Sequence, residues 1–274
     1  MSFRRLKAEL RRGSFHVSPF LTLGDPTPDL SVELARAAVR EGASMLELGF
    51  PYGDPVADGP AIQAANFRAL EGGTSTEKSM ELLARIREAC PSTPLNLLIY
   101  GNLVHARGYE RFCQDAAQAG ASSLLVPDIS LEESAALRKA SRRAKLGHVE
   151  LVGPLTTEER LQRIDRATDA FLYLVAHQGV TGVRNGSFQA IAELVERTAQ
   201  RVQHPVCLGF GLSKPEHLRQ AFGSGARIAV VGSLLAQVVA NAWQDRSSDR
   251  DAKMIDAYIN AIRPLVAARS MPAG

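Results

Sequence analysis

Glu47 and Asp58 are the residues whose type and setting most directly imply chemistry. Glu47 lies inside a short apolar run, Met45–Leu48, which ends in Gly49 and Pro51. A carboxylate within an apolar strand is costly to bury unless something pairs with it or uses it. Asp54-Pro55 and Asp58-Gly59-Pro60 follow at once. Their Pro and Gly break helix and strand alike, so Leu46–Gln63 reads as a strand end with a shaped loop. Two acids in one pocket suit proton donation and withdrawal at different atoms, because unlike environments push their pKa values apart. Each acid also has a plainer reading. Glu47 could pair with a core Arg or Lys, and Asp58 could form a turn or cap a helix.

A second constellation is built of glycines. Gly179-Val180-Thr181-Gly182, Gly209-Phe210-Gly211-Leu212-Ser213 and Gly232-Ser233 follow three successive apolar runs. Bare backbone N–H groups at a helix start bind phosphate, and glycine leaves their approach open. One such pair commonly just turns the chain; three at successive strand ends favour a phosphate cradle. Phe20, Leu98, Leu125, Phe171, Tyr173 and Phe210 lie in or just after predicted strands. Singly each reads as core, and together they could form a flat apolar slot for an aromatic substrate. Asn102 and Thr181 could supply polar contacts or merely satisfy loops, and His177 could shuttle a proton or lie at the surface. No His, Cys or acidic pair has metal-ligand spacing, so neither a metal nor a cofactor is expected.

Elements that would position these groups follow from periodicity. Strands are predicted at His16–Leu23, Met45–Leu48, Leu95–Tyr100, Ser123–Val126, Val149–Val152, Phe171–Val175, Pro205–Gly209 and Arg227–Val231. Amphipathic stretches such as Asp29–Glu41, Ser75–Cys90 and Leu131–Lys145 alternate with them. Strands that alternate with helices demand a parallel sheet, and eight such units close into a barrel. The fold class expected is α/β, a (β/α)8 TIM barrel, with residues 1–274 forming one domain. Residues 1–12 form an extra leading helix and 251–267 a closing one. A doubly wound open sheet is the alternative, but Leu23-Gly24-Asp25-Pro26 lacks the Gly-x-Gly-x-x-Gly turn usual there. In such a barrel, catalytic groups come from the C-terminal ends of strands, where Glu47 and the glycine loops fall.

The chain has 274 residues, 45% hydrophobic and 22% charged, with a net charge of +3, which suits a sizeable core rather than disorder. Its basic residues are scattered apart from short pairs such as Arg4-Arg5 and Arg142-Arg143, so a nucleic-acid or membrane role is not favoured. Cys90, Cys113 and Cys207 are far apart, which argues against a disulfide framework and suits a reducing compartment. The charged start lacks a signal-peptide core, and no apolar run approaches a membrane span, so a soluble cytoplasmic protein is expected.

These segments resemble the tryptophan synthase alpha subunit family. The likeness is carried by Pro19-Phe20-Leu21-Thr22-Leu23-Gly24-Asp25-Pro26, by the run from Glu47 to Pro60, and by the three glycine loops. Its most specific part is Pro55-Val56-Ala57-Asp58-Gly59-Pro60. The resemblance implies aldol-type cleavage of indole-3-glycerol phosphate to indole and glyceraldehyde 3-phosphate, in tryptophan biosynthesis. Glu47 and Asp58 match the catalytic acids. Phe20, Leu98, Leu125, Tyr173 and Phe210 match the indole slot; Gly182, Gly211, Gly232 and Ser233 match the phosphate cradle. Loops holding Asp54 and Thr181 would close over substrate, and a pyridoxal-phosphate beta subunit would receive the indole.

The sequence departs from the family in its loops. Gly53 stands where Ser is common, His177 where some members have Arg, and Gly153-Pro154-Leu155 and Pro127-Asp128-Ile129 differ from the usual turns. None removes a catalytic group; all bear on closure and partner contact. Two further readings stay open: a stand-alone lyase releasing free indole or cleaving a modified substrate, and a mainly regulatory partner of a beta subunit.

Overall fold

The computed structural model describes residues 2–12, 15–175 and 188–270. Helix α1 (Ser2–Arg11) precedes β1 (His16–Thr22), α2 (Pro28–Arg40) and β2 (Leu46–Gly49). Two helices, α3 (Pro60–Glu71) and α4 (Thr76–Ala89), lead to β3 (Leu95–Leu98). Another two, α5 (Gly101–Arg107) and α6 (Tyr109–Ala119), lead to β4 (Ser123–Leu125). Then come α7 (Ala135–Arg143), β5 (Gly147–Val152), α8 (Glu158–Ala167) and β6 (Leu172–Leu174). The chain continues with α9 (Phe188–Ala199), β7 (Val206–Leu208), α10 (Pro215–Gly223), β8 (Ala226–Val231), α11 (Ser233–Trp243) and α12 (Arg250–Ala267).

The eight strands pair in parallel, in sequence order, and β8 closes back on β1: the barrel expected from the alternation. Strands in such a barrel are buried on both faces, so they read as short, nearly continuous apolar runs. Leu46 and Leu48 point outward into the layer beneath the helices, with Leu34, Leu83 and Leu97. Met45, Phe20, Leu125, Tyr173, Cys207 and Val230 belong to a separate cluster inside the barrel. Glu47 is in register with Phe20 on one side and Asn96 on the other. Helix α1 packs Leu6 and Phe3 against that inner cluster, at the end away from the site, which leaves the C-terminal mouth open.

Two local expectations change. The predicted helix Leu131–Lys145 begins only at Ala135, because residues before it make tight turns, with the backbone N–H of Glu133 and Ser134 donating to Ser130 O. Ser134 also donates its hydroxyl to the buried Glu150 on β5, at 2.9 Å. Helix α5 was not foreseen. Its first residue is a poor helix former, and its leading N–H is taken by Asp128 Oδ1 at 2.8 Å from a distant loop.

Candidate active site

The alternating pleat aims Glu47 into the barrel while its apolar neighbours face out. Its side chain is 2% exposed, and among the described residues it accepts a hydrogen bond from the Tyr173 hydroxyl, which donates to Oε1 at 3.1 Å. No core Arg or Lys pairs with it among the described contacts. Burial pushes its pKa up to about 8; the Tyr173 hydrogen bond opposes that rise and the Asp58 charge adds to it. Glu47 therefore rests protonated near neutrality, as a proton donor must. The Tyr173 phenol is itself driven well above its ordinary pKa by burial and by Glu47, so it remains a neutral donor.

Asp58 stands at the end of the loop after β2, just ahead of α3. Helix α3 opens at Pro60, whose fixed φ and missing N–H suit a first helical position. Asn66, nearly two turns into α3 and buried, donates Nδ2 to Asp58 Oδ2 at 3.1 Å. Tyr100 also hydrogen-bonds the carboxyl, and its hydroxyl accepts the Ala57 N–H at 3.2 Å. Desolvation raises the Asp58 pKa, and the Tyr100 and Asn66 hydrogen bonds restrain the rise. Far from being a helix cap, its side chain is held by two separate segments, Asn66 on α3 and Tyr100 beyond β3.

Glu47 and Asp58 line one cavity of about 630 Å³, large enough for a bicyclic ring carrying a short polar chain. Phe20, Leu98, Leu125, Tyr173 and Phe210 line it too, joined by Ile62, Leu151, Val175 and Val230, which the sequence reading passed over. Phe171 lies just before β6 in the same inner cluster as Tyr173, two residues nearer the closed end, and is absent from the lining. It belongs to the core there. Glycine makes room for the two key aromatics: a Cβ on Gly49 would overlap the Phe20 ring, and one on Gly209 would overlap Tyr173. Gly209→Ala should therefore push Tyr173 off Glu47. Losing a hydrogen bond that lowers the Glu47 pKa raises it further, and a carboxyl-carbon NMR titration would read the rise. Overpacking adds a loss of about 1–3 kcal/mol in stability.

Gly211, Gly232 and Ser233 line the same cavity. Helix α11 starts at Ser233 with Gly232 as its cap and no side-chain hydrogen bond there, so its first N–H groups stay uncommitted. The acid loop and this cradle meet closely: a Cβ on Gly59 would be 4.0 Å from Ser233 Oγ. Asp54 is exposed and lies outside the cavity lining. Gly53 has no positive φ and open space where a Cβ would go, so nothing in the fold demands glycine there. Asn102, on α5, donates to the Tyr52 hydroxyl at 2.8 Å, at the rim. His177, Gly179, Thr181 and Gly182 lie outside the described residues. Among the described residues no cluster of His, Cys, Asp or Glu could hold a metal ion.

A family model described as "Tryptophan synthase alpha chain" matches residues 3–262. The chain belongs to the tryptophan synthase alpha chain family. Alpha chains from Methanothermobacter thermautotrophicus and Shewanella oneidensis are similar to it, at 40% identity over 83% of this chain and 84% of theirs, and at 38% over 89% and 87%. Among solved structures, the alpha subunit from Legionella pneumophila superposes with a TM-score of 0.85 at 27% identity, covering 96% of this chain and 97% of that one. A chain from the tryptophan synthase α2β2 complex of Pyrococcus furiosus gives 0.83 at 29% identity, covering 93% and 99%.

Three side chains of the candidate site escaped the sequence reading. Tyr100 was seen only as a strand end. Asn66 reads as one polar residue of an amphipathic helix, and its spacing from Asp58 is that of many Asn residues with no such contact. His217 lies past the Gly209–Ser213 loop on α10, yet it reaches the cavity wall.

Proposed function

We propose that this chain cleaves indole-3-glycerol phosphate into indole and glyceraldehyde 3-phosphate, acting as the alpha subunit of a tryptophan synthase in tryptophan biosynthesis. The observation that carries this reading is Glu47: a buried acid, protonated near neutrality, hydrogen-bonded to Tyr173 and facing Asp58. Protonated Glu47 delivers its proton to the ring carbon that bears the side chain. The ring becomes an indoleninium cation, and Asp58 as carboxylate holds its N–H while positive charge develops. The Glu47 carboxylate then takes the proton of the side-chain hydroxyl adjacent to the ring. The carbon–carbon bond breaks, its electron pair returns to the ring, and the hydroxyl carbon leaves as an aldehyde. Glu47 ends protonated, so the cycle closes within the two carboxyl groups.

Phe20, Leu98, Leu125, Tyr173 and Phe210 form the slot for the indole. An apolar slot that excludes water strengthens the contact of Asp58 with the cation. The uncommitted N–H groups at the start of α11, with Gly211, cradle the phosphate. By the family resemblance, the loops holding Asp54 and Thr181 would close over bound substrate, and Gly182 would join the cradle.

The partner in this reading is a beta subunit that consumes the indole. The rim supports it: Val56 and Leu155 are apolar and 73% and 85% exposed, a setting that docking would relieve. The protein is cytoplasmic in this account, and no helix among the described residues is long and apolar enough to cross a membrane. Product analysis with purified chain, alone and with a beta subunit, tests the whole. Equimolar indole and glyceraldehyde 3-phosphate, formed faster with the partner, are expected. Absence of indole in both incubations would overturn the proposal.

A further inference from the structure

We propose that His217 is a phosphate-binding side chain of this cavity, donating from Nε2 to the ester that Gly211, Gly232 and Ser233 cradle. This rests on the phosphate reading above. The first observation is electrostatic. Among the described residues lining the cavity, His217 is the only one able to carry a positive charge; Glu47 and Asp58 are acids, and no Lys or Arg is present. Backbone N–H groups present dipoles without net charge, so a phosphate dianion gains from one cationic or strongly donating side chain.

The second observation is geometric. The backbone N–H of Ser213 donates to His217 Nδ1 at 3.4 Å. A nitrogen that accepts carries no proton, so in the neutral ring the proton sits on Nε2. The donor needed for an anion is thereby assigned to the outer edge of the ring. Phe188, the first residue of α9, stacks on the imidazole with centroids 5.0 Å apart and planes within 10°. That stack and the Ser213 contact together fix the ring plane, so little rotamer entropy is lost when an anion binds. The ring is half-buried and lines the cavity.

The placement fits the cradle as well. His217 follows Pro215, which has no N–H, and its own N–H already donates to Lys214 O at 3.0 Å, so the start of α10 offers an anion less from its backbone than α11 does. A side-chain donor supplies what this second helix start lacks. Two roles are separable here, because Phe in place of His keeps a stacking ring without either nitrogen, whereas Gln restores an N–H donor without the stack.

The test is binding of inorganic phosphate, and separately of indole, to the folded full chain by isothermal titration. His217→Phe should weaken phosphate about tenfold, the loss of one charge-assisted hydrogen bond, and His217→Gln should recover most of it. Indole affinity should stay within about twofold in both, and in turnover the loss should appear more in KM than in kcat. Ser233→Glu, at an exposed helix start that accepts an acid, is the control for the cradle. Phosphate bound equally by wild type and His217→Phe, but lost in Ser233→Glu, would overturn the role of His217 and leave the cradle standing. Retention in Phe with loss in Gln would assign His217 to packing, which also overturns the proposal. Phosphate unaffected by Ser233→Glu would remove the cradle, and His217 with it.

Discussion

Glu47→Gln should lower the turnover of indole-3-glycerol phosphate by about 10³-fold, the usual worth of a positioned general acid–base, while the barrel stays folded. Glutamine matches the carboxyl in shape and still accepts from Tyr173, but it has no proton to give to the ring carbon. The same change should raise stability at alkaline pH. In the folded state Glu47 holds its proton up to about pH 8, whereas in the unfolded chain it releases it near 4.5. Between those values the native state binds more protons, so stability falls as pH rises through this window. The contribution is complete below the unfolded value and lost above the folded one. Glutamine never ionises, so at pH 9 it removes a penalty of up to about 5 kcal/mol. Melting curves at pH 5 and pH 9 would show the variant close to wild type at the first and more stable at the second. A variant that keeps its turnover would remove Glu47 from the chemistry. One that is no more stable at pH 9 would remove the buried-acid explanation.

Asp58→Asn should be the second most damaging change. Its carboxylate faces a cation that exists only as the reaction proceeds, and removing one such preorganised group costs roughly 10²–10³ in kcat. Asparagine can keep the Asn66 and Tyr100 contacts, so the loop and the adjoining cradle should hold, with phosphate affinity retained. A second consequence is specific to the pair. The Asp58 charge is one cause of the raised Glu47 pKa, so the basic limb of the residual activity should move to lower pH. Weakened phosphate binding with little loss of kcat would instead assign Asp58 to shaping the loop.

What the sequence reveals about this molecule divides along physical lines. All eight strands were legible, because a barrel strand buried on both faces has to be a short apolar run between polar turns. Glu47 was legible as an anomaly in such a run, and Gly232-Ser233 as a bare helix start. Contacts between distant segments were not. Helix α5 depends on Asp128 accepting its first N–H, and no local pattern announces a cap from another loop. Phe171 and Tyr173 share one inner cluster, and periodicity says nothing of which end of the barrel each occupies; only register does. The choice between a paired core carboxylate and a free acid at Glu47 likewise needed the fold, which supplies a tyrosine hydroxyl and, among the described residues, no cation. Asn66 and His217 are ordinary helix residues in sequence, and their significance comes from what the barrel brings opposite them.

The central claim is that a protonated, buried Glu47 starts the cleavage, and the pH dependence of kcat/KM for indole-3-glycerol phosphate tests it most directly, since that ratio reports the free enzyme. The account predicts a basic limb near pH 8 in the wild type, displaced downward in Asp58→Asn. Activity that continues undiminished to pH 10, or a limb that Asp58→Asn leaves in place, would contradict it.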